Sequence, residues 1–424
     1  MFKFRPLVAA ILTVATAQAF AAEHTSEQRQ HGIDNVAEVT QSFGRSNMAT
    51  QLQDGSGNDA TIEQNASYSS SALQTQIANF QQADINQSLA VRSSSAQWQN
   101  GNSNEASISQ IGTFDSSVEQ RQHGLENSAD TNQVGTHDTS ALSDQKGDQN
   151  VALINQAVSH GSDSALYQDG NHNDAVISQS FNVHDRAMID QKGSENAAEI
   201  VQNWSNGSIA EVEQVGNLND AYVHQTGARH EAYTYSGGDS NALNVAQRGS
   251  NQNAFVYQIG DENTADIAQR GNGNTGTANQ HGFGNVAVID QGGRDQFATV
   301  EQKGTYNDAT VDQQGKGNEL NFSQEGTLNT LTAVQEGNGN RIGGSSSNAG
   351  NDVDIVQDGD FNIANVHQLG SSQEATLSQY GESHLATVIQ NGNGHEALVV
   401  QSGMRNNALI SQAGLNNMAV VTQH

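Results

Sequence analysis

The chain contains no cysteine and a single proline in 424 residues. The first absence excludes a disulfide framework and any thiolate metal site. The second is more specific. Pro6 lies in the N-terminal leader, and proline removes a ladder hydrogen bond, so its exclusion from the rest of the chain suits a protein made of stacked central strands. Basic residues are scarce, 17 Lys and Arg against 46 Asp and Glu, for a net charge of −29. Nothing so acidic can neutralise phosphates, which argues against nucleic acid as a partner. Long apolar runs are also missing beyond the leader, so no stretch reaches the ~20 apolar residues of a membrane-spanning helix.

What is present is a polar mixture of Asn, Gln, Ser and 42 glycines, with 5% aromatics. This composition suits either disorder or a β-aggregating low-complexity tract, and only periodicity separates these from an ordered repeat. The leader itself reads as an export signal over residues 1–21: Lys3 and Arg5 precede an apolar run from Leu7 to Ala17, with Ala19 and Ala21 as the small residues of a cleavage site. Residues 22–29 form a short segment before the repeats. The expected location is therefore outside the cytoplasm.

One pattern recurs from Gln30 to Gln423: a Gln, Gly two residues later, Asn at five, Ala at seven, Val or Ile at nine, and the next Gln at eleven. Gln122, Gly124, Asn127, Ala129 and Gln133 show it, as do Gln302, Gly304, Asn307, Ala309 and Gln313. Over 30–225 the steps alternate between 11 and 12 residues; over 225–424 every step is 11, with Ser236 and Ser346 in two of the glutamine positions. An 11-residue period also fits a right-handed helical supercoil. The recurring Gly and Asn oppose a helix, the 12-residue steps would dephase any helical stripe, and the marked positions are spaced by two, the strand period. The position at nine is mostly β-branched, as in Val39, Ile62, Ile108, Ile177 and Val300, which suits a pleated, half-buried surface.

The predicted fold is all-β: a β-solenoid of about 17 stacked two-strand coils, 22–23 residues each, with amyloid-like cross-β stacking. Each strand should run from about the Asn to the next Gln, with the turn across the Gln, the Gly and the two residues after it. Asn, Ala, Val/Ile and Gln face inward, and stacking places Gln over Gln and Asn over Asn as amide ladders.

The first-half arcs carry a longer pattern, with Ser six residues before the marker Gln. Ser93, Gln99, Gly101, Asn104, Ala106 and Gln110 match it in full. This resembles the S-x5-Q-x-G-x2-N-x-A-x3-Q repeat of the curlin family, subunits of curli fibres, over essentially the whole chain after the leader. In the second half both arcs of a coil carry Gln-Gly-Asn-Ala, which is more similar to the minor, nucleating curlin than to the major one. The resemblance implies export through a dedicated outer-membrane pore and polymerisation on the cell surface into fibres for adhesion and biofilm, with another curlin subunit and a secretion apparatus as partners. The chain has several times the repeats of familiar curlins, and Glu23 to Gln28 stand where the major subunit has a Gly-rich targeting segment.

The candidate functional residues are the ladder positions themselves and those of the terminal coils: Gln30, Asn35 and Gln41 at one end, Gln412, Asn417 and Gln423 at the other. A solenoid's end coils expose unpaired backbone groups that template another chain unless capped, so head-to-tail self-association is the expectation. No catalytic residues, metal ligands or cofactor are expected. Gly271, Gly273 and Gly276 form a G-x-G-x-x-G without βαβ context, and His230, His384 and His395 simply occupy Asn positions. A fibre nucleator and a monomeric surface solenoid are the alternatives to a fibre subunit.

Overall fold

The computed structural model describes residues 23–424; the export signal expected at 1–21 lies outside them. The described residues form 36 strands, from β1 (Thr25–Ile33) to β36 (Met418–Gln423). Odd-numbered strands pair only with odd neighbours and even with even, always in parallel and, with one exception described below, in register. The result is two facing 18-stranded sheets, a β-solenoid of 18 coils. Counting intervals between marker residues gives seventeen and a half coils; each strand carries one marker, so the strand preceding the first interval supplies the remaining half coil. At about 4.8 Å per coil the rod is roughly 80 Å long.

Burial alternates along every strand. In Val286–Arg294, for example, Ala287, Ile289 and Gln291 are buried between the sheets while the residues between them point outward. Alanine lets the sheets approach, and the branched residue fills the gap that leaves. The core is one continuous column from Ala49 to Ile410. Where the column changes residue size, neighbouring coils compensate. Gly344 lacks a side chain where others carry Val or Ile, and the Phe322 ring of the preceding coil lies over it. The Gly- and Ser-rich stretch Arg341–Ala349 is therefore an intact strand. The serine-rich arcs at 64–99 are likewise paired throughout, with Ser67, Ser70, Ser93 and Ser95 buried.

The turns differ from the expectation. Pairing does not stop at the marker Gln but continues through Gln, x, Gly and x, as from Gln291 to Arg294. The bend is confined to the next two residues, a left-handed one (Asp295, φ 57°) and the inward Asn-type residue (Gln296). The 12-residue arcs use another turn. After Gln156 two left-handed residues, Val158 and Gly161, flank His160, which pairs singly with its equivalents in adjacent coils. Ser159 and Ser162 point inward. The additional residue is thus taken up entirely at a corner, and the strands on either side stay in phase. The corner change is visible between Ala197–Asn206 and Asp220–Ala228, where register shifts only between Asn203 and Asn206.

Candidate functional site: amide ladders and open coil edges

The marker glutamines of the even sheet form an unbroken column from Gln41 to Gln423. In each coil Nε2 donates to Oε1 of the Gln in the next coil at 2.7–3.0 Å. Gln110, Gln133 and Gln313 belong to this column. Gln30, Gln99, Gln122, Gln302 and Gln412 belong to that of the odd sheet, which has two breaks. Ser236 and Ser346 are too short to be reached by Gln214 and Gln324, although their hydroxyls donate onward to Gln258 and Gln368 at 3.1 and 2.9 Å. The second amide hydrogen goes to a backbone carbonyl across the core, as from Gln302 to Val286 at 2.7 Å. Buried amides cost several kcal/mol when unpaired, so these columns hold the register of the stack as well as stabilising it.

Asn and Gly act as one unit. Asn127 Nδ2 donates to the carbonyl of Gly147 in the next coil at 2.7 Å, and Asn127 Oδ1 accepts the backbone N–H of Asn150 at 3.0 Å. Asn104 and Asn307 make the same bonds, to Gly124 and to Gly326. The glycine carbonyl is turned toward the Asn because the residue has a positive φ, 131° at Gly124 and 129° at Gly304. A methyl on Gly304 would overlap the carbonyl oxygen of Gly326. Gly101 sits likewise over Gly124, and Ala106, Ala129 and Ala309 are fully buried beside these columns.

The Asn preference has a further cause. Where Gln takes the position, at 81, 252, 296 and 373, its Oε1 is buried without a partner, because one more methylene carries it past the N–H of the next coil. Histidine substitutes better at 384 and 395 but not at 230, where Nδ1 is also buried without a partner: His384 Nδ1 accepts the N–H of Asn406 at 3.2 Å and its Nε2 faces the carbonyl of Tyr380 at 3.1 Å; His395 repeats this with Asn417 and Asn391. At His230 burial holds the imidazole below its ordinary pKa, so it stays neutral. The three glycines of the G-x-G-x-x-G are divided between a stacked arc (Gly271), a bend (Gly273) and the core (Gly276), and form no phosphate cradle.

The sequence reading missed two features. A second amide column, Gln28, Gln51, Gln74, Gln97 and Gln120, replaces the branched residue in the first odd strands, with bonds of 2.7–3.1 Å. Its signal is Q-x-Q before the marker Gly, or before Ala78 in one arc. The other is Asp185, which stands where adjacent coils have Ser162 and Ser208. It is 1% exposed, accepts the N–H of Ser208 at 2.8 Å, and leaves Oδ2 without a partner. Burial raises its pKa to about 6, against smaller opposing effects of donors at Ser208, Ser205 and Gly207.

The end coils differ from the interior. Among the described residues β1 and Val36–Ser42 are paired on one side only, as are Asn407–Leu415 and β36. The columns are vectorial: Gln30 and Gln41 donate inward and keep an acceptor facing out, while Gln423 has one N–H unused and Gln412 turns one of its own onto the carbonyl of Asn417. Asn35 and Asn417 occupy the matching places in the Asn column.

No curated protein matches the chain. The family model of the curlin associated repeat matches at residues 238–271, 271–304, 294–326, 349–381, 374–403 and 396–424. All matches fall where every arc has 11 residues, and the gap between the third and fourth contains Gly344 and Ser346. One ladder architecture runs through matched and unmatched coils alike, and the coils of residues 238–424 belong to the curlin repeat family.

Proposed function

We propose that the chain is an exported structural subunit of extracellular curli-like amyloid fibres, whose partner is another copy of itself joined head to tail, in a biofilm matrix and in adhesion. The observation that carries this is the polarity of the amide columns. Outward acceptors on Gln30 and Gln41 complement the donor of Gln423, whereas head-to-head joining would set acceptor against acceptor. The acidic outer surface supports a brake on premature joining. Asp352, Glu374 and Glu396 lie directly over one another in successive even strands, and like charges stacked along the axis repel until screened.

Family membership supports an extracellular, fibre-forming and non-catalytic role, with another curlin subunit and a secretion apparatus as further partners. The test is to dilute the chain without its leader from denaturant, follow thioflavin fluorescence, and collect fibre diffraction. Fibres with the ~4.7 Å reflection along the axis that seed fresh protein are expected. A β-rich monomer that neither elongates nor seeds itself would overturn the proposal. If that monomer seeded a major curlin, the nucleator reading would replace it.

A further inference from the structure

The single-residue bridges at the 12-residue corners form a column along the rod: Arg45, Tyr68, Val91, Phe114, His137, His160, Val183 and Asn206. Most of its occupants are unrelated, but its centre is not. Phe114 stacks on His137 (ring centroids 4.9 Å apart), His137 on His160 (4.8 Å), and His160 meets His184 at 5.4 Å. Stacked imidazoles in a column that elsewhere holds Tyr and Phe could serve packing alone. Two observations go beyond packing. The carboxylate of Asp138 joins the pair, Oδ2 lying 2.8 Å from His137 Nδ1, so that one ligand atom from each of His137, Asp138 and His160 lies within 4.8 Å of the others. In addition, the next coil has Gly161 where the preceding coils have Arg92, Asp115 and Asp138, and the His184 imidazole occupies the space a side chain at 161 would fill. The missing side chain brings a third imidazole onto the same ledge.

We propose that this corner binds a divalent transition-metal ion, zinc-type in its preference for imidazole and carboxylate, through His137, Asp138 and His160, with His184 flanking the site. Two nitrogens and one oxygen are a borderline-soft donor set suited to Zn2+, Ni2+ or Cu2+ rather than to Ca2+ or Mg2+, which take oxygen ligands. At bond lengths of about 2.0 Å, tetrahedral ligands lie about 3.3 Å apart, so the cluster closes on an ion by side-chain rotation without moving strands. The surrounding acidic surface raises the local cation concentration. His137 and His160 are 23 residues apart in sequence and adjacent only in the folded rod. The ion therefore staples one coil to the next, binds the folded chain and not the unfolded one, and favours folding by mass action.

The column itself supplies substitutions compatible with the fold, since Tyr68 and Val183 occupy the same position. The test is calorimetric titration of the folded chain with ZnCl2, for wild type, His137→Tyr, His160→Val and Asp138→Asn, with far-UV circular dichroism to verify each fold and hydrogen exchange of residues 134–162 as a second readout. One site of micromolar affinity is expected, weakened at least tenfold by each substitution, with zinc-dependent protection of the 134–162 amides that the variants lose. Equal zinc affinity in wild type and a folded His137→Tyr/His160→Val variant would overturn the proposal, as would protection by zinc elsewhere but not at this corner.

Discussion

Asp185 is a carboxyl in a column of serines, and its replacement by Asn yields a stability difference whose pH dependence is set by the structure. The side chain is buried, and only one of its oxygens is hydrogen-bonded. Its pKa rises from 3.8 to about 6 on folding, mainly through burial. Because the folded value is the higher one, the protonated acid is favoured by folding. The native state keeps full stability below pH 3.8 and loses it progressively as pH rises toward 6, after which the loss is constant. At 1.36 kcal/mol per pH unit, the advantage of Asp185→Asn grows from about 0.5 kcal/mol at pH 4 to about 3 kcal/mol at pH 8. Long solenoids need not unfold in one step, so the suitable assay is the opening free energy of amides in residues 183–209 by native-state hydrogen exchange at several pH values. Comparing variant with wild type at each pH cancels the general effect of the acidic surface. Asp185→Ser, which restores the residue of the adjacent coils, should follow the same curve. A difference independent of pH, or a wild type more stable than both variants at pH 8, would refute the reasoning.

Four other outcomes are expected. Gly304→Ala should lower local stability by roughly 3 kcal/mol or more, since the methyl meets the backbone of Gly326 and φ is 129°; exchange of amides 300–330 measures it. Gln296→Asn should stabilise by about 1 kcal/mol, by giving the N–H of Asn318 an acceptor in place of the unpaired Oε1, and denaturation of matched variants reads this directly. Both Gln291→Leu and Gln324→Leu lose one bond to a carbonyl across the core, but within the column Gln291→Leu leaves a donor on Gln269 and an acceptor on Gln313 unpaired, whereas Gln324→Leu strands the donor of Gln302 alone, because the column is already interrupted at Ser346. The first should cost about 1–2 kcal/mol more than the second in urea denaturation. Finally, assembly followed by thioflavin fluorescence should accelerate with added salt and as pH falls toward the sequence pI of about 4.5; a rate indifferent to both would remove the electrostatic brake.

Much of this architecture is legible in the sequence because each coil repeats the same few requirements. Spacing by two places Asn, Ala, Val or Ile, and Gln on one face, and the 11- and 12-residue steps set which residues stack. The inward faces at Gln99 to Gln110 and at Gln302 to Gln313 follow from that arithmetic alone. The absence of proline agrees, since nearly every backbone N–H is needed by a ladder. Sequence did not reveal where the chain bends. Glycine suggested a turn at Gln-x-Gly, but its positive φ instead rotates a carbonyl toward the Asn of the preceding coil while the strand continues. That role exists only when two coils are stacked.

Contacts between coils decided the rest. Gly344 reads as a defect until Phe322 is found above it, and Asp185 reads as a surface acid until its column of buried serines is known. The three histidines of the corner are 23 and 24 residues apart and carry no motif, and Gly161 has meaning only against His184. Local pattern determines which residues face inward, because strand alternation is a property of one backbone. Whether a buried group finds its partner depends on the coil before and the coil after, and only the assembled rod places them together.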